Sequence, residues 1–128
     1  MPDKRTRITE TIEEKGEGFV FERIVANQLR LKMEIIARRT AKKNGEPLPE
    51  NAEIGTMRMA RVVATVYPSR NEGAVADHLN QILNRNKSIP IWEIYNLCTI
   101  IGYPLSQLIS DAQAELKVQK YISQPSDK

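Results

Sequence analysis

Between Phe19 and Lys43 apolar residues return at helical spacing. Val25, Leu29 and Ile36 fall near one face together with Lys32, and Ile24, Leu31 and Ile35 widen it. No Gly or Pro interrupts the stretch. Arg38, Arg39, Lys42 and Lys43 load its end, where cations suit the helix dipole and are also placed to touch phosphate. The spacing predicts one long helix, stopped by Asn44-Gly45. Residues 45–55 read as a loop, because Pro47 and Pro49 lack the backbone donors that a helix or central strand needs. Thr56 is placed to cap a second helix reaching Tyr67, with Met59, Val62, Val63 and Val66 inward; its β-branched residues also favour strands. Pro68 ends it, and PSRNEG forms a turn.

Asn71 can open a third helix, over about residues 73–86. Val75, Leu79, Ile82 and Leu83 form its apolar stripe. Asp77, Asn80, Gln81 and Asn84 stand at i, i+3, i+4 and i+7, so they share a polar face. Pro90 then starts a fourth helix at its favoured first-turn position. Ile91, Ile94, Cys98 and Ile101 line its buried side, and Gly102 is a natural stop. Trp92 and Tyr95 flank that stripe, as core edge or as interface. Leu105, Leu108 and Ile109 pack a short final turn, and residues 110–122 can extend as a further helix with Ala112, Leu116 and Tyr121 inward. Residues 1–17 are polar and aperiodic. They read as a flexible arm, either laid along DNA through Lys4, Arg5 and Arg7 or simply disordered. Residues 123–128 are a tail. The expected architecture is all-α: a compact helix-turn-helix bundle of about five helices over residues 18–122, with a long first helix and an atypical loop before the second.

Composition sharpens this. Apolar residues make up 41% of the 128 and charged residues 27%, while aromatics are only 5%, so the core must be aliphatic. A net charge of +3 is mild, but its placement is uneven. Arg30, Lys32, Arg58, Arg61 and Arg70 join the four cations ending the first helix, opposed there by Glu34, Glu46, Glu50 and Glu53. Acidic residues dominate Glu10 to Glu22. Charge separated in this way suits a polyanion. Cys98 and His78 are each the sole residue of their type, so no intrachain disulfide and no Cys/His metal cluster can form. Cys98 reads as core and His78 as a flanking packing residue. The first residues lack the apolar run of a secretory signal, and no stretch is long enough to span a membrane. A cytoplasmic protein is expected. No nucleophile with a base, paired acids or phosphate loop is visible. No enzyme activity, cofactor or small-molecule ligand is therefore expected.

The segment HLNQILNRNKSIPIWEIYNLCTIIGYPLSQLI carries a resemblance. Over residues 74–109 the chain resembles the second half of the lambda-repressor-like (Cro/cI, or XRE-type) helix-turn-helix family. Leu79, Ile82, Leu83, Ile91, Ile94, Leu97, Ile101, Leu105 and Leu108 fall in its register, as does the Gly102 turn. Asn86 stands where the family usually has glycine, a departure that a left-handed asparagine absorbs. The first half departs further: PSRNEG is a longer turn than usual, the loop after Gly45 is atypical, and the helix-start glutamine of many members is missing.

The resemblance implies a sequence-specific transcriptional regulator of prokaryotic or phage type, binding double-stranded DNA as a homodimer with the third helix in the major groove. Asn and Gln can grip adenine in bidentate fashion, so Asn80, Gln81 and Asn84 are candidate base readers, with Asp77 a possible acceptor from cytosine. Arg70, Asn71, Arg85 and Lys87 are candidate phosphate contacts. Leu105, Leu108, Ile109 and Leu116, with the Phe19–Phe21 segment, are the candidate dimer interface. The competing reading is a protein-interaction module that kept the fold without the DNA work, such as an antitoxin, an adaptor or a phage-type inhibitor.

Overall fold

A computed structural model describes residues 12–123. Lys4, Arg5, Arg7 and the tail after Ser123 lie outside the described residues. The arm expected over 1–17 is helical over residues 12–15, and Ile12 packs partly against the core.

Helix α1 (Glu17–Lys43) is continuous. Its buried stripe is Val20, Ile24, Val25, Leu29, Met33, Ala37 and Ala41. Met33 and Ala37 occupy the inner face, and Leu31 and Ile35, expected to widen it, are exposed. Glu46 N closes the C-terminal turn onto Ala41 O at 2.8 Å. The loop that follows is held from α1. Arg38 donates through Nη1 to Pro49 O at 2.9 Å and also donates to Ala52 O. Ile54 is buried in the core.

Helix α2 (Thr56–Val62) is capped by Gly55, not by the Thr56 side chain. It also ends earlier than the apolar pattern predicts. The β-branched run Val62, Val63, Thr65 and Val66 crowds the turn before it, and the backbone tightens into a 3₁₀ turn (Ala64–Val66) ahead of Pro68. Helix α3 (Glu72–Asn84) follows the Tyr67–Asn71 turn. Val75, Leu79, Ile82 and Leu83 are buried there, matching the predicted stripe.

Helix α4 (Ile91–Ile101) has Pro90 at its cap position and buries Ile94, Leu97, Cys98 and Ile101. Ile91, expected inside, is exposed, and Glu93 takes a buried place on that stripe. Gly102 stops α4 in the left-handed conformation (φ 68°, ψ 30°), as the sequence predicts. Helix α5 (Leu105–Ser123) is one uninterrupted helix, not a short turn followed by another element. Tyr103 donates to the Asp111 carboxylate and Gln107 Nε2 donates to Asp111 Oδ1 at 2.7 Å, which fixes the α4–α5 turn.

The described residues form an all-helical bundle without strands. The most extensive contacts join α2 to α3 and α1 to α5, and the core between them is aliphatic. No helix among the described residues is long and apolar enough to cross a membrane.

Candidate nucleic-acid interface

Helix α3 is fixed at both ends by other parts of the chain. At its start the Asn71 side chain accepts from Ala74 N at 2.8 Å, an N-cap that satisfies one of the helix's orphan donors. Glu72 in the first turn suits the dipole and pairs with Arg61 of α2. At its end the α1 pair Glu22-Arg23 acts as a clamp. Arg23 donates to Ile82 O and Lys87 O, each at 2.9 Å, filling one carbonyl that the helix terminus leaves open and tying the loop after it to the same guanidinium. Glu22 Oε2 accepts from Ser88 Oγ at 2.8 Å and Ile89 N at 3.1 Å. Burial alone would raise the Glu22 carboxyl. The hydrogen bonds from Ser88, Ile89 and Arg23, with the Arg23 charge, outweigh it and hold the group below the ordinary glutamate value. Between these anchors Asn86 turns the chain at φ 62°, the left-handed conformation expected of it.

The structure brings the four candidate readers together on the face of α3 opposite its buried stripe. Asp77, Gln81 and Asn84 are exposed and Asn80 is half-buried. They divide into two neighbourhoods. Asn84 Nδ2 donates to Asn80 Oδ1 at 2.9 Å, and this pair lines a groove of about 580 Å³ with Arg30 and Arg38 of α1 and the loop around Ile54. Gln81 lies on the other side, where Lys87 Nζ donates to its Oε1 at 3.2 Å. The two asparagines thus hold each other in place, and Lys87 holds Gln81.

The candidate phosphate contacts bracket this face. Thirteen residues of α3 span about 20 Å. Arg70 stands before its start, with the guanidinium 5.4 Å from the Tyr67 ring centroid, and Arg85 and Lys87 lie exposed beyond its end. Asn71 spends its side-chain oxygen on the cap, so only its amide nitrogen remains for a ligand.

One polar cluster escaped sequence reasoning. Glu93, at 3% exposure, is the one buried charged residue among those described. Its Oε2 accepts from Tyr67 OH, and it lies 2.6 Å from His78 Nε2. The Tyr67 and His78 rings meet edge to face at 5.4 Å between centroids. The cluster joins the turn before α3, α3 itself and the first turn of α4. Burial, then the bond and charge of Glu93, push the Tyr67 hydroxyl well above the ordinary tyrosine range. The signal was present in the sequence: Glu93, Leu97 and Ile101 recur every four residues, which puts an acid on the apolar stripe of α4.

The candidate dimer residues are placed differently from the expectation. Leu108 and Leu116, at 0% and 8% exposure, are covered by the chain's own helices and have little surface to offer a partner. Leu105 and Ile109 are half-buried, and Leu105 packs against the core. The monomer spends these residues because α5 must seal α1. Exposed apolar side chains lie on α4, at Ile91, Trp92, Tyr95 and Ile100, and at the end of α5, at Val118, Tyr121 and Ile122, with Leu31, Ile35 and Met57 elsewhere. Cys98 is buried, and burial pushes its thiol up. Among the described residues no group of three or more His, Cys, Asp or Glu is arranged to hold a metal ion.

No family model, curated protein or solved structure matches the chain.

Proposed function

We propose that this protein is a sequence-specific DNA-binding regulator that presents α3 to the major groove. The observation that carries the reading is the α3 face itself. Three amide side chains stand opposite the buried stripe, on a helix anchored at both ends, with cations before and after it. A helix of this width fits the groove, and amides can pair with adenine at about 1–3 kcal/mol of discrimination each. Arg70, Arg85 and Lys87 supply sequence-independent attraction, which must weaken with salt. The lambda-repressor-like resemblance over residues 74–109 supports the same reading.

Titration into random duplex DNA at low and moderate salt tests the proposal. Affinity should fall steeply as salt rises; no binding at low salt rules the reading out. Asn80→Ala with Gln81→Ala should abolish preference for a selected site while the fold stays intact. Lys87→Ala should weaken all sequences alike and reduce the salt slope by about one unit.

A second reading, a protein-interaction module on this fold, is favoured by Asp77, an acid in the middle of the reading face. Phosphate repels such a residue unless it meets a donor such as the cytosine amine. If Asp77→Asn leaves DNA affinity at zero in low salt, that module is the better account.

A further inference from the structure

We propose that the solvent face of α4 is the surface on which a second copy of this chain docks, across a two-fold axis. The exposed half of α4 is Ile91, Trp92, Tyr95, Asn96, Thr99 and Ile100, with Ile91, Trp92 and Tyr95 at 64%, 59% and 58% exposure. None of the six is charged. From Ser88 to Ile109 the one charged residue is Glu93, and it is buried. In a chain that is 27% charged, this stretch is neutral along the sequence; in space its far edge, Ile100, shares a groove with Arg58, Arg61 and Glu46, so the centre of the face is Ile91, Trp92 and Tyr95. The other exposed apolar side chains lack this quality. Leu31 and Ile35 sit among Arg30, Lys32 and Glu34, and Tyr121 and Val118 beside Lys117 and Lys120.

Neutrality selects the occupant. A charged partner group pressed against this face would lose water and find no opposite charge, at a cost of several kcal/mol. A partner must therefore be uncharged where it meets this face, and a second copy of the same face meets that condition. A two-fold contact uses the same patch twice, so each residue counts twice in the interface. Trp92, Tyr95 and Ile91 alone expose on the order of 350 Å² per subunit. That approaches half of the roughly 800 Å² each partner contributes to a stable interface, and the other three residues extend it on the same helix. Depletion of charge with Trp and Tyr at the centre is also the composition of interface cores.

The face is coupled to the candidate reading helix. Glu93 on the inner side of α4 holds His78 of α3 and Tyr67 of the preceding turn. An α4–α4 contact therefore sets the relative orientation of two α3 helices, as needed for half-sites about 34 Å apart. This last consequence rests on the DNA-binding reading, whereas the contact itself does not.

Sedimentation equilibrium of the full chain without DNA tests it. The expected result is a concentration-dependent rise from 14.6 kDa to twice that mass. Emission from Trp92, the sole tryptophan, should shift to the blue as the dimer forms. Trp92→Glu with Tyr95→Glu should raise the dimer dissociation constant at least about 100-fold, with the helical circular dichroism unchanged and a thermal midpoint equal to that of the wild-type chain diluted to monomer. Tyr121→Glu on α5 should leave the dimer intact. A monomer at every concentration overturns the proposal. So does a dimer that Tyr121→Glu dissociates and the α4 variant does not. A dimer that forms through α4 and binds no DNA leaves this inference standing and removes the DNA reading. An α4 variant that is monomeric yet still binds random DNA at low salt supports both.

Discussion

Glu93 shows what a single buried charge does in this chain. Acids are almost never fully buried without partners, and here a tyrosine hydroxyl and a histidine nitrogen converge on one carboxylate oxygen. Removing the carboxylate strands both. Glu93→Ala should therefore destabilise the fold by about 3 kcal/mol, the upper end of the cost of leaving buried polar groups without a partner. Glu93→Gln keeps one acceptor oxygen and should cost less, about 1–2 kcal/mol. Tyr67→Phe removes one donor to a charged acceptor and should cost about 1.5–3 kcal/mol. Urea unfolding monitored by circular dichroism measures all three. If Glu93→Ala unfolds at the wild-type midpoint, the cluster contributes nothing and the reading of it is wrong. The cluster was missed, although the spacing of Glu93, Leu97 and Ile101 marked the acid, because apolar periodicity assigns faces by counting hydrophobic residues. It credited exposed Ile91 to the buried stripe and passed over Glu93, whose burial depends on Tyr67, 26 residues away.

At the scale of helices, what was legible is what is encoded locally. The extent of α1, the Asn71 cap, the Asn86 and Gly102 turns and the α3 stripe all follow from neighbours within a few residues. What escaped depends on contacts across the chain. The Glu22-Arg23 clamp joins residues about 60 positions apart, so no window could show it. The continuity of α5 depends on its seat against α1, and the early end of α2 on crowding that propensity barely ranks. The local devices can be tested separately. Asn71→Ala should cost about 1 kcal/mol, the usual worth of an N-cap. At Asn86 the left-handed backbone costs an ordinary residue about 1–2 kcal/mol. Asn86→Ala should therefore destabilise by about 1 kcal/mol, while Asn86→Gly should be close to neutral. An equal loss from both substitutions would mean that the asparagine side chain, not its backbone, holds the turn. Arg23→Ala should speed hydrogen exchange at the end of α3 and in the loop after it more than in the middle of the helix, because a last-turn carbonyl and a loop carbonyl lose their donor.

For the molecule as a whole, two titrating contacts on different elements set opposite limits on stability. Glu22 holds α1 against the end of the α3–α4 loop, and its carboxyl lies below the ordinary value of 4.5 in the folded chain. A depressed carboxyl contributes stability that is present above its unfolded value and lost as pH falls through the folded one. The thermal midpoint should therefore drop on acidification below about pH 4.5. Tyr103 works in the other direction. Burial, then its bond to Asp111 and the Asp111 charge, push its hydroxyl up to about 12 from 10. A raised hydroxyl contributes stability that is complete below pH 10 and lost as pH rises through about 12. Tyr103→Phe has no hydroxyl to ionise, so it should flatten part of the alkaline decline; because that hydroxyl also holds the Asp111 carboxyl below its ordinary value, it should flatten part of the acid limb as well. Glu22→Gln should flatten part of the acid limb and leave the alkaline limb alone. Because Glu22 anchors the loop that ends α3, acid should also loosen that end before the bundle unfolds. Hydrogen exchange of Ile89, whose amide donates to Glu22, reports this directly. Exchange at Ile89 that speeds up only together with the α5 core would show that the clamp has no separate opening and that acid acts on the fold as one unit.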